Sequence, residues 1–234
     1  MARGARSATS TGAHFSRIVE APLTSRETIL QRVRAGLGRS AGQTVPDPPA
    51  VRIQVAEVDK ETKIASLLAR VEALAGRAVR AATPAEACEI VREVLGKRSA
   101  VASNAPYLEE CGVTGLPGVR CGITDREELR KACAAADVGI TSADYALADT
   151  GTLVMLSSPH EARLISLLPP THVAVIPASR ILSGLDELFT ILPEPAAVTS
   201  SMVLITGPSR TADIEQILVR GVHGPGEITI VVVG

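Results

Sequence analysis

From residue 77 onward, short apolar runs alternate with segments that carry helix-start signals. Such runs are typical of strands that are buried on both faces of a parallel sheet. Their alternation with helices predicts an α/β domain over residues 77–234, with a mostly parallel sheet sandwiched by helices. The strands are expected at residues 78–82, 99–103, 138–141, 152–157, 173–177, 202–206 and 228–233.

Capping boxes mark two of the helices that join these strands. Thr83 is followed by a proline at the first helical position and by Glu86, which predicts a helix ending near residue 95. A second box begins at Thr124, and its helix is expected to end near residue 136. Further helices are expected at residues 161–168, 185–192 and 211–219.

The N-terminal part of the chain has a different character. Residues 1–16 are small, polar and unpatterned, which predicts a disordered tail. Residues 17–76 are expected to form a helical appendage, with one helix capped by Ser25 and a second capped by Asp59. A linker rich in proline and glycine, at residues 38–50, separates the two helices.

The composition argues against two classes of partner. Aromatic residues make up 2% of the chain, so it lacks the exposed rings on which single-stranded nucleic acid stacks. The formal net charge of -1 offers no electrostatic footprint for a polyanion. Apolar runs such as residues 228–233 are too short to span a bilayer. We therefore expect no nucleic-acid partner, no membrane span and a cytoplasmic location.

The four cysteines are scattered and form no C-x-x-C pair. An iron–sulfur or zinc site built from this chain alone is not expected, because such sites take closely spaced thiolates. Scattered reduced thiols are typical of cytosolic proteins. The sequence therefore predicts no metal site and no cofactor in this chain.

Ligands of open α/β sheets bind beyond the carboxyl ends of the strands, so polar residues next to strand ends are candidate site residues. Asp149, Thr150 and Gly151 form a small polar turn whose backbone N–H groups are candidates for binding an anion. The alternative is an ordinary turn between two elements, which uses the same residue types.

Glu161 and Arg163 follow an expected strand, at the expected start of a helix. Ser157 and Ser158 precede them, and a helix N-terminus with hydroxyl groups is a favourable anion site. The alternative is that Ser158 caps the helix while Glu161 interacts with the helix dipole.

Ser209 and Arg210 lie in a loop after one expected strand and before an expected helix. The loop lacks the Walker and dinucleotide-binding motifs, but a guanidinium beside free helix N–H groups suits a planar oxyanion. Asp213, three residues after Arg210, is expected to share its helix face, whereas Glu215 diverges from it. Helix capping by the same residues is the alternative.

His223 is held among three glycines and a proline, in a loop before the last expected strand. An imidazole there can act as acid, base or ligand, and a purely structural histidine is the alternative. We expect the four segments to meet at one edge of the sheet, with His223, Arg210 and Asp213 as catalytic candidates. The candidates for binding substrate or anion are Asp149, Thr150, Gly151, Glu161, Arg163, Ser209 and Glu215.

Two segments carry a family resemblance: ADYALADTGTLVMLSSPHEARLISLLPPTHVAVIP and GPSRTADIEQILVRGVHGPGEITIVVV. They resemble the LUD-domain family, in its lactate-utilisation branch, and the likeness extends over residues 77–234. The resemblance implies a NagB/RpiA/CoA-transferase-like fold and a role in oxidising L-lactate to pyruvate. It also implies two partners, a LutB-like iron–sulfur protein and a LutA-like cysteine-rich protein, which would hold the iron–sulfur clusters.

A site for lactate or pyruvate needs an arginine for the carboxylate and a proton-handling group at the hydroxyl carbon. Arg210 and His223 are the expected pair. Two other hypotheses stay open: a stand-alone enzyme of the CoA-transferase or isomerase type, and a non-catalytic scaffold of the complex. A CoA transferase needs an exposed glutamate nucleophile, for which Glu161 and Glu227 are the candidates.

Overall fold

The computed structural model describes residues 24–40, 42–44, 57–214 and 217–234. The described residues belong to two units, one that ends at Val51 and one that begins at Arg52. The predicted disordered tail, residues 1–16, lies outside the described residues, as do positions 41 and 45–50 of the predicted linker.

The first unit contains the helix α1, Ser25–Gly36. The predicted cap was Ser25, but the capping residue is Thr24, one position earlier. The Thr24 hydroxyl accepts a hydrogen bond from the backbone N–H of Glu27, and the Glu27 carboxylate accepts one from the Thr24 N–H. This reciprocal pair is a complete capping box, so Ser25 becomes the first helical residue.

The second unit contains six further helices and twelve strands within the described residues. The helices are α2 Lys60–Ala73, α3 Pro84–Leu95, α4 Pro106–Glu110, α5 Arg126–Ala135, α6 Leu185–Ile191 and α7 Pro195–Val198. The strands are β1 Arg77–Ala81, β2 Ala100–Ala102, β3 Val119–Arg120, β4 Val138–Ser142, β5 Tyr145–Leu147, β6 Thr152–Leu156, β7 Thr171–Pro177, β8 Ile181–Leu182, β9 Met202–Thr206, β10 Arg210–Ile214, β11 Ile217–Arg220 and β12 Glu227–Val233. None of the helices described is long and apolar enough to cross a bilayer.

The central sheet has six strands in the order β1-β12-β7-β4-β2-β3, and every neighbouring pair is parallel. β12 pairs with β7 over its whole length, from Glu227 opposite Thr171 to Val233 opposite Pro177. The α/β fold with a mostly parallel sheet is therefore confirmed, while the narrower likeness to NagB/RpiA/CoA-transferase folds stays a prediction.

Successive residues of β7 enter two different parts of the core, because side chains alternate across a strand. Val173 and Val175 pack in one cluster with residues of α3 and α4. Ala174 and Ile176 pack in the other cluster, with α2 and with a second sheet. The sheet is thus covered on both faces, as a buried parallel sheet requires.

The second sheet has four strands in the order β8-β5-β6-β9, and it corrects one expectation. The strands predicted at 152–157 and 202–206 exist, but they pair with each other antiparallel instead of joining the parallel sheet. The short turn before Thr152 explains the difference, because a tight connection between β5 and β6 can only join antiparallel strands.

Two predicted helices are wrong. The described residues of the segment 211–219 lie in the strands β10 and β11, which pair antiparallel, in keeping with the β-branched residues of the sequence TADIEQILV. The segment 161–168 forms only a short 3-10 helix, Arg163–Ser166. Pro169 and Pro170 follow at once, and prolines disfavour a continued helix before them.

Helix α2, which the sequence analysis grouped with the N-terminal appendage, lies in the second unit and contributes to its core. Asp59 caps it as predicted, with a side-chain oxygen that accepts from the Thr62 N–H at 2.9 Å. Ile64, Leu67 and Val71 form its buried stripe against the sheets. The C-terminal end of α2 reaches the loops that contain the predicted site residues.

Gly139 in β4 gives a test of the central packing. A Cβ atom at this position would lie 1.9 Å from the carbonyl oxygen of Ile165, which is backbone and cannot rotate away. We expect Gly139→Ala to lower the free energy of unfolding by about 2 kcal/mol or more, measured by chemical denaturation. Gly115→Ala is the matched control, because its added Cβ meets nothing within 4 Å. Equal stability of the two variants would contradict this packing.

Candidate functional site

Three of the predicted site residues line one cleft. Ser209, Arg210 and His223 surround a volume of about 290 Å³ that we call the histidine cleft. It lies between β9, the loop after β11 and the amino ends of β7 and β12. Its other lining residues are Ser166, Leu167, His172, Val203, Leu204, Ile205, Thr206, Gly207, Pro208, Gly224, Pro225 and Ile228.

Backbone hydrogen bonds hold the loop of His223 beside Ser209. The Ser209 N–H donates to the Pro225 carbonyl at 2.8 Å, and the Gly221 N–H donates to the Ser209 carbonyl at 3.0 Å. The Gly226 N–H donates to the carbonyl of Pro170, the residue before β7, at 2.9 Å. His223 is exposed, but its loop is tied to the central sheet.

Arg210 begins the hairpin instead of preceding a helix. Its guanidinium donates a hydrogen bond to the carbonyl oxygen of Leu74, the residue that ends α2. A cation at a helix C-terminus is favourable, because the terminal carbonyls there carry partial negative charge. Asp213 lies in a strand, so the expected helix face shared with Arg210 does not exist. Glu215 lies outside the described residues.

His172 is a cleft residue that the sequence analysis missed. Its ring is 0% exposed in β7, with Nε2 2.8 Å from the Thr141 hydroxyl oxygen. Its Nδ1 has no hydrogen-bond partner among the described residues. Burial lowers the pKa of His172 to about 4, so the imidazole is neutral at neutral pH. A histidine within the apolar run THVAVIP was the available signal, because buried parallel strands are otherwise nearly continuously hydrophobic.

Glu161 lies elsewhere, at the carboxyl edge of the central sheet. Its Oε1 accepts a hydrogen bond from the Ser103 hydroxyl, just after β2, and another from the Ser142 N–H, at the end of β4, both at 2.9 Å. Burial raises the pKa of Glu161 to about 8. We call Glu161, Ser103 and Ser142 the Glu161 centre. The Ser158 hydroxyl accepts from the Glu161 N–H at 3.0 Å, but this bond closes a local turn and caps no helix, because the 3-10 helix begins at Arg163.

Arg163 borders a third region, the arginine cleft, of about 560 Å³. Arg126 and Arg130 of α5 line the same cleft, together with serines from two loops. The Arg163 guanidinium donates to the Ser201 hydroxyl at 3.0 Å. Arg163 is therefore not a lining residue of the histidine cleft.

The turn of Asp149, Thr150 and Gly151 packs on α2. Gly151 has a φ of 70°, and a Cβ there would lie 3.0 Å from the backbone nitrogen of Val71. The Asp149 and Gly151 N–H groups already donate within the protein, to the carbonyls of Ser183 and Leu147. These two amides are thus not free to bind an anion.

The four predicted segments do not meet at one edge of the sheet. His172 and Ile228 place the histidine cleft at the amino ends of β7 and β12, whereas Ser103 and Ser142 place Glu161 at the carboxyl ends of β2 and β4. The structure brings together Arg210, Ser209 and His223, and it separates them from Glu161. Within the described residues, no three His, Cys, Asp or Glu side chains group as metal ligands.

Comparisons with known proteins agree with this architecture. Lactate utilization protein C of Halalkalibacterium halodurans is 35% identical over 228 residues, covering 89% of this chain and 97% of that protein. Lactate utilization protein C of an Exiguobacterium species is 31% identical over 225 residues, covering 90% of this chain and 96% of that protein.

A solved structure shares the fold. The crystal structure of a DUF162 family protein from Deinococcus radiodurans superposes with a TM-score of 0.56 at 18% identity, covering 76% of this chain and all of that chain. The family model of the LUD domain matches residues 64–233. This chain therefore belongs to the LUD-domain family.

Proposed function

We propose that this chain is a subunit of a cytoplasmic system that oxidises L-lactate to pyruvate. Two relatives that match almost their whole length are both named for lactate utilization, which supports this process. The cysteines of this chain are free and scattered in sequence. The proposal therefore assigns the iron–sulfur clusters to a LutB-like iron–sulfur protein and a LutA-like cysteine-rich protein.

The observation that supports a lactate site is the presence of Arg210 and His223 in one cleft. A guanidinium has five N–H donors, and the hydrogen bond to Leu74 uses one of its nitrogens. The remaining donors suit a carboxylate, which arginine binds in a planar, two-pronged geometry. His223 supplies an imidazole, a side chain whose ring nitrogens can donate or accept a hydrogen bond. Together they provide the anchor and the proton-handling group that a 2-hydroxy acid requires.

The size and lining of the histidine cleft also favour a small acid. Its volume of about 290 Å³ is at the small end of ligand sites. Val203, Ile205 and Ile228 give it apolar walls that suit the methyl group of lactate. His172 adds a neutral imidazole whose Nδ1 lacks a hydrogen-bond partner within the described part of the chain. We propose that this nitrogen forms a hydrogen bond with the oxygen on the α-carbon of the bound acid.

The CoA-transferase hypothesis has less support. Glu227 is exposed at the start of β12, but its carboxylate accepts from the Thr171 hydroxyl at 3.2 Å and lies 3.7 Å from the Arg98 guanidinium. Glu161 is buried, which is unfavourable for a nucleophile that must attack a bulky thioester.

Substitution of Arg210 tests the lactate site. We expect Arg210→Ala to weaken L-lactate binding by about tenfold or more, because a hydrogen bond to a charged group contributes about 1.5–3 kcal/mol. Isothermal titration calorimetry on the purified chain measures this. Arg92→Ala, at an exposed position of α3, is the matched control and should bind as the wild type does.

The same variants separate a binding subunit from a scaffold. Reduced lactate affinity with unchanged co-purification of the iron–sulfur partners supports the proposed site. Loss of co-purification with unchanged affinity would support the scaffold hypothesis instead. His223→Ala should retain lactate binding better than Arg210→Ala does, while abolishing growth on lactate in a complemented deletion strain.

The proposed hydrogen bond from His172 predicts that the chain prefers acids that carry an oxygen on the α-carbon. The wild type should bind L-lactate about tenfold more tightly than propionate, which lacks that oxygen, and His172→Leu should bind both equally. The preference should be constant between about pH 6 and about pH 8, because an imidazole with a pKa of about 4 is neutral throughout that range. His160→Leu, an exposed histidine outside the cleft, is the control. A preserved preference in His172→Leu would refute this assignment.

A further inference from the structure

The Glu161 centre lies where the connections of the central sheet change direction. β2 and β4 are neighbours, but the next strand of this sheet after β2 is β3, on one side, and the next after β4 is β7, on the other, once the chain has passed through β5 and β6 of the second sheet. In open α/β sheets, ligands bind in the crevice outside the carboxyl ends of strands at such a switch point. Ser103 directly follows β2, and Ser142 is the last residue of β4. The Glu161 carboxyl group bridges these two strand ends.

This centre contains two buried polar atoms that lack partners. Glu161 is only 8% exposed, and its Oε2 has no hydrogen-bond partner among the described residues. Ser142 is 3% exposed, and its hydroxyl oxygen also lacks a hydrogen-bond partner among the described residues. An unpaired buried polar atom is destabilising, so two within one cluster call for an explanation. A ligand that supplies the missing partners explains both.

The charge state of Glu161 defines what that ligand must offer. Burial is the main cause that raises its pKa to about 8, and the half-buried Asp144 adds to it. Hydrogen bonds from Ser103 and Ser142 and the nearby Arg180 act in the opposite direction. At neutral pH the group is therefore a carboxylic acid whose O–H is a donor. The Ser142 hydroxyl is a second donor, so the complementary ligand atoms are acceptor oxygens.

The surroundings of the centre favour an anionic ligand. Arg180 is close enough to act on the charge of Glu161. The turn that contains Glu161 also borders the arginine cleft, because Ser157 and Ala162, on either side of it, line that cleft. Cationic side chains are thus present both at the centre and beside it, which attracts anions.

We propose that the Glu161 centre is a ligand site, separate from the histidine cleft, for a small organic acid whose keto or acyl oxygen accepts a hydrogen bond from the Glu161 carboxyl group. Ser142 donates a second hydrogen bond to the same ligand. No covalent step is involved, and Glu161 keeps its proton while the ligand is bound.

Pyruvate is the probe, and its binding is measured by calorimetric titration. The titration uses an Arg210→Ala chain, because this variant lacks the arginine of the histidine cleft. Affinity should be constant from about pH 6 to about pH 7 and fall about tenfold per unit above about pH 8. Loss of the Glu161 proton removes the donor and places a negative charge beside the anion. In the same background, Glu161→Gln keeps an N–H donor that does not titrate, so its affinity should be independent of pH. Glu161→Leu should bind at least about tenfold more weakly at neutral pH.

Glu110→Gln, at an exposed position of α4, is the matched control and should keep the pH profile of its parent. Thermal melting monitored by circular dichroism verifies that each variant folds. If Glu161→Leu unfolds, the test relies on Glu161→Gln, which preserves the shape of the side chain. Absence of pyruvate binding, or one pH profile shared by the parent and Glu161→Gln, would overturn the proposal. L-Lactate binding to a Glu161→Leu chain with Arg210 intact tests the histidine cleft in the absence of the Glu161 carboxyl group, so the two sites fail separately.

Discussion

The parallel pairing of β12 with β7 is the constraint on which both candidate sites depend. These two strands form the buried centre of the sheet, and β12 also holds β1 on its other side. Their amino ends position the loop of His223, through the hydrogen bond from Gly226 to Pro170. β4, on the other side of β7, ends at Ser142 in the Glu161 centre. A one-residue shift in the register of β12 would move each of its apolar side chains to the opposite face of the central sheet.

The two ends of this sheet offer different chemistry. At the amino end, the histidine cleft combines an exposed guanidinium with two imidazoles of different exposure. At the carboxyl end, the Glu161 centre presents a buried acid that is neutral because its charge would be poorly solvated. A charged anchor suits a carboxylate, whereas a neutral donor suits a carbonyl oxygen.

Much of the fold could be predicted from local signals, and the failures have identifiable causes. The helix at 84–95 and the strand at 202–206 have the predicted limits, because a proline-containing capping box and an uninterrupted apolar run are local. The hairpin at 210–220 was missed because Asp213 and Glu215 mimic a charged helical face. Arg210 and His223 line one cleft, and their role as site residues stays a prediction. The hydrogen-bond partners of Glu161 were not predicted, because Ser103 is 58 positions away in sequence.

The contact between Arg210 and Leu74 links ligand binding to the order of a helix. The same guanidinium that is assigned to the carboxylate also neutralises the negative end of α2. Under the proposed assignment, an anion and the end of α2 would share this one guanidinium, so binding of the anion and order at the helix end would be thermodynamically linked.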